Sequence, residues 1–235
     1  MATLGTLVVS NVMANQVLPS WAYVPWNCGV AAVLVVIAVR FDHLTADELG
    51  LSTRQLPRGI RWGAVVSGGI VAVYLLGLAI PATRELFRDD RVRIDLGPML
   101  WQALVMVPLG TVLLEEIAFR GVLPAMLRRR FAPASEGTSR WNGALRADVV
   151  AALCFGLWHV LPSWNVNEAN PVFRDALGGG TGRAVTVTGA VLGTAVAGLG
   201  LSWLRNRSGS LAAPVLVHCT TNGLGYVLSW LVHQN

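Results

Sequence analysis

The chain has no lysine. All 18 of its basic residues are arginine, and charged residues fill only 13% of its 235 positions, about half the share typical of a soluble domain. So few charges cannot cover a surface that faces water over its whole extent. Low-complexity and long polar stretches are also missing, so residues 1–235 read as a single membrane domain with no separate soluble module. Cysteine is scarce: Cys28, Cys154 and Cys219 all fall within apolar runs, which speaks against a secreted disulfide framework and for small side chains packed between helices. A net charge of +5 and a pI near 9.9 would suit a nucleic-acid partner. The arginines, however, border apolar runs instead of forming a patch, so the expected partner is a lipid bilayer and not nucleic acid.

What is abundant is apolar sequence. Hydrophobic residues make up 54% of the chain, and they gather in runs near 5–18, 25–39, 62–80, 97–127, 147–163, 184–204 and 211–232. Most approach the ~20 residues that a helix needs to cross ~30 Å of hydrocarbon. None shows the two-residue alternation of a membrane barrel, so the expected fold is all-α, a polytopic bundle of about seven transmembrane helices. The first run lacks a preceding basic residue and a clean small-x-small site, and it reads as a retained helix, not a signal peptide. Arg40, Arg54, Arg58, Arg61, Arg128, Arg129, Arg130, Arg140, Arg146, Arg205 and Arg207 flank alternate connections. The others carry Arg84, Arg88, Arg91, Arg93, Arg174 and Arg183, offset by Glu85, Asp89, Asp90, Asp95, Glu168 and Asp175. The positive-inside rule puts the eleven-arginine side in the cytoplasm, with the N-terminus inside and the C-terminus outside.

An ionisable group deep in a membrane helix costs about 2.5–3.5 kcal/mol even on insertion scales, so each one is a functional candidate. Five stand well inside the runs: Glu115, Glu116, Arg120, His159 and His218. Adjacent Glu115 and Glu116 are ~100° apart on a helix, while Glu116 and Arg120 have the four-residue spacing of a helical ion pair. Glu116 is therefore expected to be held by Arg120, leaving Glu115 free to act as a general base. A buried charge network without catalysis fits the same pair. Phe155 and His159 stack on one face of the next element, as packing residues or as part of a site. His218 and Asn222 share a face on the last one, as an interhelical hydrogen-bonding pair or as two donors to an oxyanion.

Together the residues resemble the CPBP family of intramembrane proteases, the CAAX prenyl endopeptidase and bacteriocin-processing group. Its pattern is EExxxR, FxxxH and HxxxN on separate helices, matched here by Glu115-Glu116 with Arg120, Phe155 with His159, and His218 with Asn222. Arg205–Pro214 resembles the family's turn before the third motif, and Thr45–Leu51 a segment found upstream in bacterial members. The similarity spans a core of about 97–230, with two N-terminal helices as an addition. The resemblance implies a hydrolase of the bacterial cytoplasmic membrane, an endopeptidase acting on hydrophobic peptides or membrane proteins. In it Glu115 and His159 activate water, His218 and Asn222 form the oxyanion hole, and Glu116, Arg120 and Phe155 support them.

The family has been viewed both as metalloproteases and as glutamate peptidases. No cofactor is assured; zinc or another divalent metal would take Glu115, His159 and His218, but the His-Glu-x-x-His arrangement is absent, and the metal-independent reading is preferred. Rhomboid Gly-x-Ser-Gly and aspartyl Gly-x-Gly-Asp motifs are absent too. A proton-coupled transporter would need an internal repeat, and none is visible. A noncatalytic immunity or scaffold protein of the same fold stays open as an alternative. Gly189, Gly193, Gly198 and Gly200 are expected to pack against a neighbouring helix of the same chain, a homodimer face being the second option; nothing else addresses oligomeric state. Pro162 to Gly182, with its Gly178-Gly179-Gly180 run, reads as a flexible outer loop. Counted from the expected helix starts, His159 and His218 lie at unequal depths, and the site is expected to open toward the cytoplasm.

Overall fold

In the computed structural model, residues 2–131, 140–176 and 179–234 are described. Among them there is no strand, and a helix occupies all or part of each of the seven apolar runs. These are α1 (Ala2–Val12, continued by a π-helical turn Met13–Val17), α2 (Tyr23–Arg40), α3 (Leu56–Ala79), α4 (Leu96–Arg130), α5 (Arg140–Trp158), α6 (Gly179–Ser208) and α7 (Ala212–Gln234). Five of them, α2, α3, α4, α6 and α7, are long and apolar enough to cross a membrane. α1 is short, and α5 carries Arg140, Arg146 and Asp148 in its first half. The chain is thus a helical integral membrane protein.

α4 is the central element. It passes through two π-helical stretches, Gln102–Val112 and Ile117–Val122, the first containing Pro108, which has no N–H to give to a helical ladder. The carbonyls there find partners on α2: Asn27 Nδ2 donates to Gly110 O at 2.6 Å, and Cys28 Sγ to Leu109 O at 3.4 Å. Leu34 and Ala38 of α2 pack with Leu114, Ala118 and Phe119 of α4 and with Ala151 and Phe155 of α5 in the main apolar core. α3 and α6 lie outside, with Val65, Val73, Leu76, Leu192 and Val196 exposed as lipid-facing side chains would be.

The turn between α6 and α7 explains how sites of apparently unequal depth meet. Ser208, Ser210, Leu211 and Ala213 are all buried, so α7 starts inside the molecule. Leu211 N donates to Gly50 O at 2.8 Å, and Arg205 Nη2 to the carbonyls of Glu48 and, at 3.2 Å, Asp47. Gly209 (φ 77°) and Gly50 (φ 76°) make this possible in the left-handed region that side chains rarely enter. At the same level a Cβ on Gly121 of α4 would lie 3.3 Å from Leu49 O and 3.4 Å from Leu211 Cδ1. Glu115 is six residues from Gly121, and His218 is seven from Leu211. At ~1.5 Å per residue the two stand side by side. Thr45–Leu51 is the wedge that holds the turn: Thr45 and Glu48 form a capping box, and Arg129 clamps Glu48 at 2.8 Å.

Two expectations change. Of Gly189, Gly193, Gly198 and Gly200 on α6, only Gly198 meets a neighbour, the Phe155 ring and Ala152 of α5; the other three face open space. The tight approach comes from Gly156 of α5, where a Cβ would lie 2.5 Å from Val191 O. The segment from Pro162 to Gly182 is not an irregular loop, since it holds helical turns at Val166–Ala169 and Pro171–Ala176 and the start of α6. Asn170 ties it down by donating to Leu86 O at 3.2 Å and Arg88 O at 2.6 Å. Gly178 lies outside the described residues.

Candidate active site

Within α4, Glu115 and Glu116 are 4% and 0% exposed and Arg120 is 1% exposed, so three ionisable side chains share the interior of the bundle. Arg120 Nη1 lies 3.2 Å from Glu116 Oε1, and its guanidinium sits 3.9 Å over the Phe155 ring. Neither Arg120 terminal nitrogen is aligned for a hydrogen bond, so the contact is an ion pair stabilised by charge and by the ring face. This is the four-residue pair that the spacing predicts.

The third motif meets the first. His218 Nδ1 donates to Glu116 Oε1 at 2.7 Å, and its Nε2 stands 3.6 Å from Glu115 Oε2. One imidazole bridges both carboxylates, edge-on to the Phe155 ring at 6.0 Å. The other oxygen of Glu115 is held from the second motif, where Trp158 Nε1 donates to Oε1 at 2.9 Å. His159 lies just past the end of α5. Its Nδ1 donates to Phe155 O at 2.8 Å, so Nε2 is the ring nitrogen left for another partner.

Glu115, His159 and Asn222 line one cavity of about 780 Å³, together with Asn15, Tyr23, Asn27, Gln102, Trp158 and Tyr226. Glu116, Arg120 and His218 are not on its wall. The cavity runs to Leu86, Phe87, Asp89 and Val92, in the connection ahead of α4. It therefore reaches toward the end of the helices opposite Arg128–Arg130, and not toward the arginine-rich side expected to be cytoplasmic. The reason is the buried turn before α7, which closes the arginine-rich end beneath the site. α1 and α2, read from sequence as an addition, supply Ala14, Asn15, Tyr23 and Asn27 to the wall.

Sequence reasoning passed over Trp158 and these N-terminal residues. For Trp158 a signal existed, because a buried indole N–H needs an acceptor. The N-terminal residues carry no local signal, since their role depends on which helices adjoin. A metal would take Glu115, His159 and His218. His218 Nδ1 is committed to Glu116, Glu115 Oε1 accepts the indole N–H, and among the described residues no three His, Cys, Asp or Glu side chains are grouped as a ligand set.

A model of the type II CAAX prenyl endopeptidase Rce1-like family matches residues 97–224, more than half of the chain. The chain belongs to that family. No curated protein and no solved structure matches it. The Rce1-like region begins with α4 and ends two residues after Asn222, so it holds all three motifs and the buried turn. Membership places this protein among membrane-embedded endopeptidases of the CAAX type.

Proposed function

We propose that this Rce1-like protein hydrolyses peptide bonds of hydrophobic peptides or membrane-associated proteins at the cavity, using water activated by Glu115 and His159. The observation that carries the reading is the meeting of a buried carboxylate, an imidazole and a carboxamide on the wall of one cavity inside a membrane protein. Water between Glu115 and His159 would lose a proton as it attacks the carbonyl carbon, and the same proton would pass to the departing amine. Asn222 is half-buried on the cavity and would donate to the carbonyl oxygen as it becomes negative. His218, proposed with it from the sequence, would join by turning Nε2 from Glu115 toward that oxygen, while Glu116 and Arg120 hold the ring in place.

This scheme needs no metal. Seven crossings, with the arginine-rich end in the cytoplasm, would point the cavity toward the outer side. The test is incubation of the protein in liposomes with a hydrophobic peptide library in ¹⁸O-water. Hydrolysis leaves one ¹⁸O in each new C-terminal carboxyl by mass spectrometry, and cutting should persist after exhaustive chelation. Peptides bound but uncut would favour the immunity or scaffold reading, and loss of cutting restored by zinc would overturn the metal-independent scheme.

A further inference from the structure

We infer that Trp158 is a positioning residue for Glu115, and that α1, which lies outside the family-matched region, holds it there through Asn11. The inference deepens the proposed function, because it takes Glu115 as the water-activating carboxylate.

α5 ends at Trp158, so the carbonyl of Trp158 is one of the last-turn acceptors with no partner in its own helix. The following amides turn elsewhere: His159 N donates to Gly156 O at 3.0 Å and Val160 N to Leu157 O at 3.2 Å. Asn11 of α1, 7% exposed, fills the vacancy by donating Nδ2 to Trp158 O at 2.8 Å. This fixes the end of the helix. The indole then reaches across to α4 and donates to Glu115 Oε1 at 2.9 Å, its ring edge-on to Phe119 at 5.6 Å.

The consequence for Glu115 is geometric. A glutamate side chain on a straight helix has three rotatable bonds, and a general base has to be held to within a few tenths of an ångström of its water. One oxygen of Glu115 is pinned by Trp158, and the other points toward His218 at 3.6 Å without a hydrogen bond. That second oxygen is the one left to work. Trp158 also lines both the catalytic cavity and a separate apolar slot of about 280 Å³ formed by Leu4, Leu7, Val8, Cys154 and Leu157. An indole suits this partition because it presents an apolar ring to the slot and a single N–H to the carboxylate.

The experiment compares Trp158→Phe and Asn11→Leu with wild type in liposomes, on the best-cleaved peptide from the library. Trp158→Phe keeps a ring but loses the donor, and it should lower kcat about tenfold or more with KM within about twofold. Asn11→Leu should lower kcat less, at unchanged KM. A second readout is independent of cutting. The infrared carboxyl band of Glu115, identified by its disappearance in Glu115→Gln, should shift in Trp158→Phe and shift in the same direction by less in Asn11→Leu. A kcat within twofold of wild type, or an unmoved band, overturns the inference. If wild type cuts no peptide, the proteolytic reading fails by itself, and the band alone decides whether Trp158 holds Glu115. Should Trp158→Phe fail to fold, the same two readouts on Asn11→Leu decide it.

Discussion

Replacing Arg120 by Met removes the one cation set among two buried carboxylates and an imidazole. Met occupies similar length, so little packing is lost and the change is mainly one of charge. Glu116, 0% exposed, would keep only its hydrogen bond from His218 at 2.7 Å, having lost an ion pair at 3.2 Å. Breaking a buried pair from one side costs about 3–5 kcal/mol, because the remaining charge stays desolvated. The Phe155 ring, 3.9 Å below the guanidinium, loses a cation as well. At roughly 2–4 °C per kcal/mol for a chain of this size, the midpoint of thermal unfolding in detergent should fall by roughly 6–20 °C. Arg120→Met with Glu116→Gln should recover about half of the loss or more, since no unpaired charge is then buried. A fall below about 2 °C, or a double variant no better than the single one, would refute the reasoning.

Other outcomes follow from contacts elsewhere. Gly156→Ala puts a Cβ 2.5 Å from Val191 O, so α5 and α6 must separate; it should cost about 1–3 kcal/mol, whereas Gly189→Ala, which meets nothing, should leave the unfolding midpoint unchanged. Burial pushes the Glu48 carboxyl up, but hydrogen bonds from the Thr45 amide, the Arg129 guanidinium and the Thr45 hydroxyl outweigh it and hold the group below its ordinary value. Its folded-state pKa being depressed, Glu48 contributes stability above the ordinary carboxylate range and loses it as pH falls through the depressed value. Unfolding followed against pH should therefore show a weaker acid dependence in Glu48→Gln.

Helices and the residues that gather at the candidate site were legible in the sequence because both are written in local spacing. The four-residue steps from Glu116 to Arg120, Phe155 to His159 and His218 to Asn222 each put two side chains on one face, and two of these pairs touch as expected, at 3.2 Å and, ring to ring, at 4.6 Å. Depth was not legible. Hydropathy marks where an apolar run starts but not that Leu211 is 4% exposed inside the molecule, because that burial comes from Gly50 and Arg205, far away along the chain. The direction of the cavity was missed for the same reason. Nor does the arginine pattern disclose that Arg129 and Arg205 secure the wedge at Glu48.

The central claim is tested most directly by proteolysis in liposomes, comparing wild type with Glu115→Ala and His159→Ala on the peptide that wild type cuts best. Loss of a general base costs roughly 10²–10⁴-fold, so both variants should lose at least about a hundredfold in kcat while still binding the peptide. Cleavage at the wild-type rate in either variant would contradict the account.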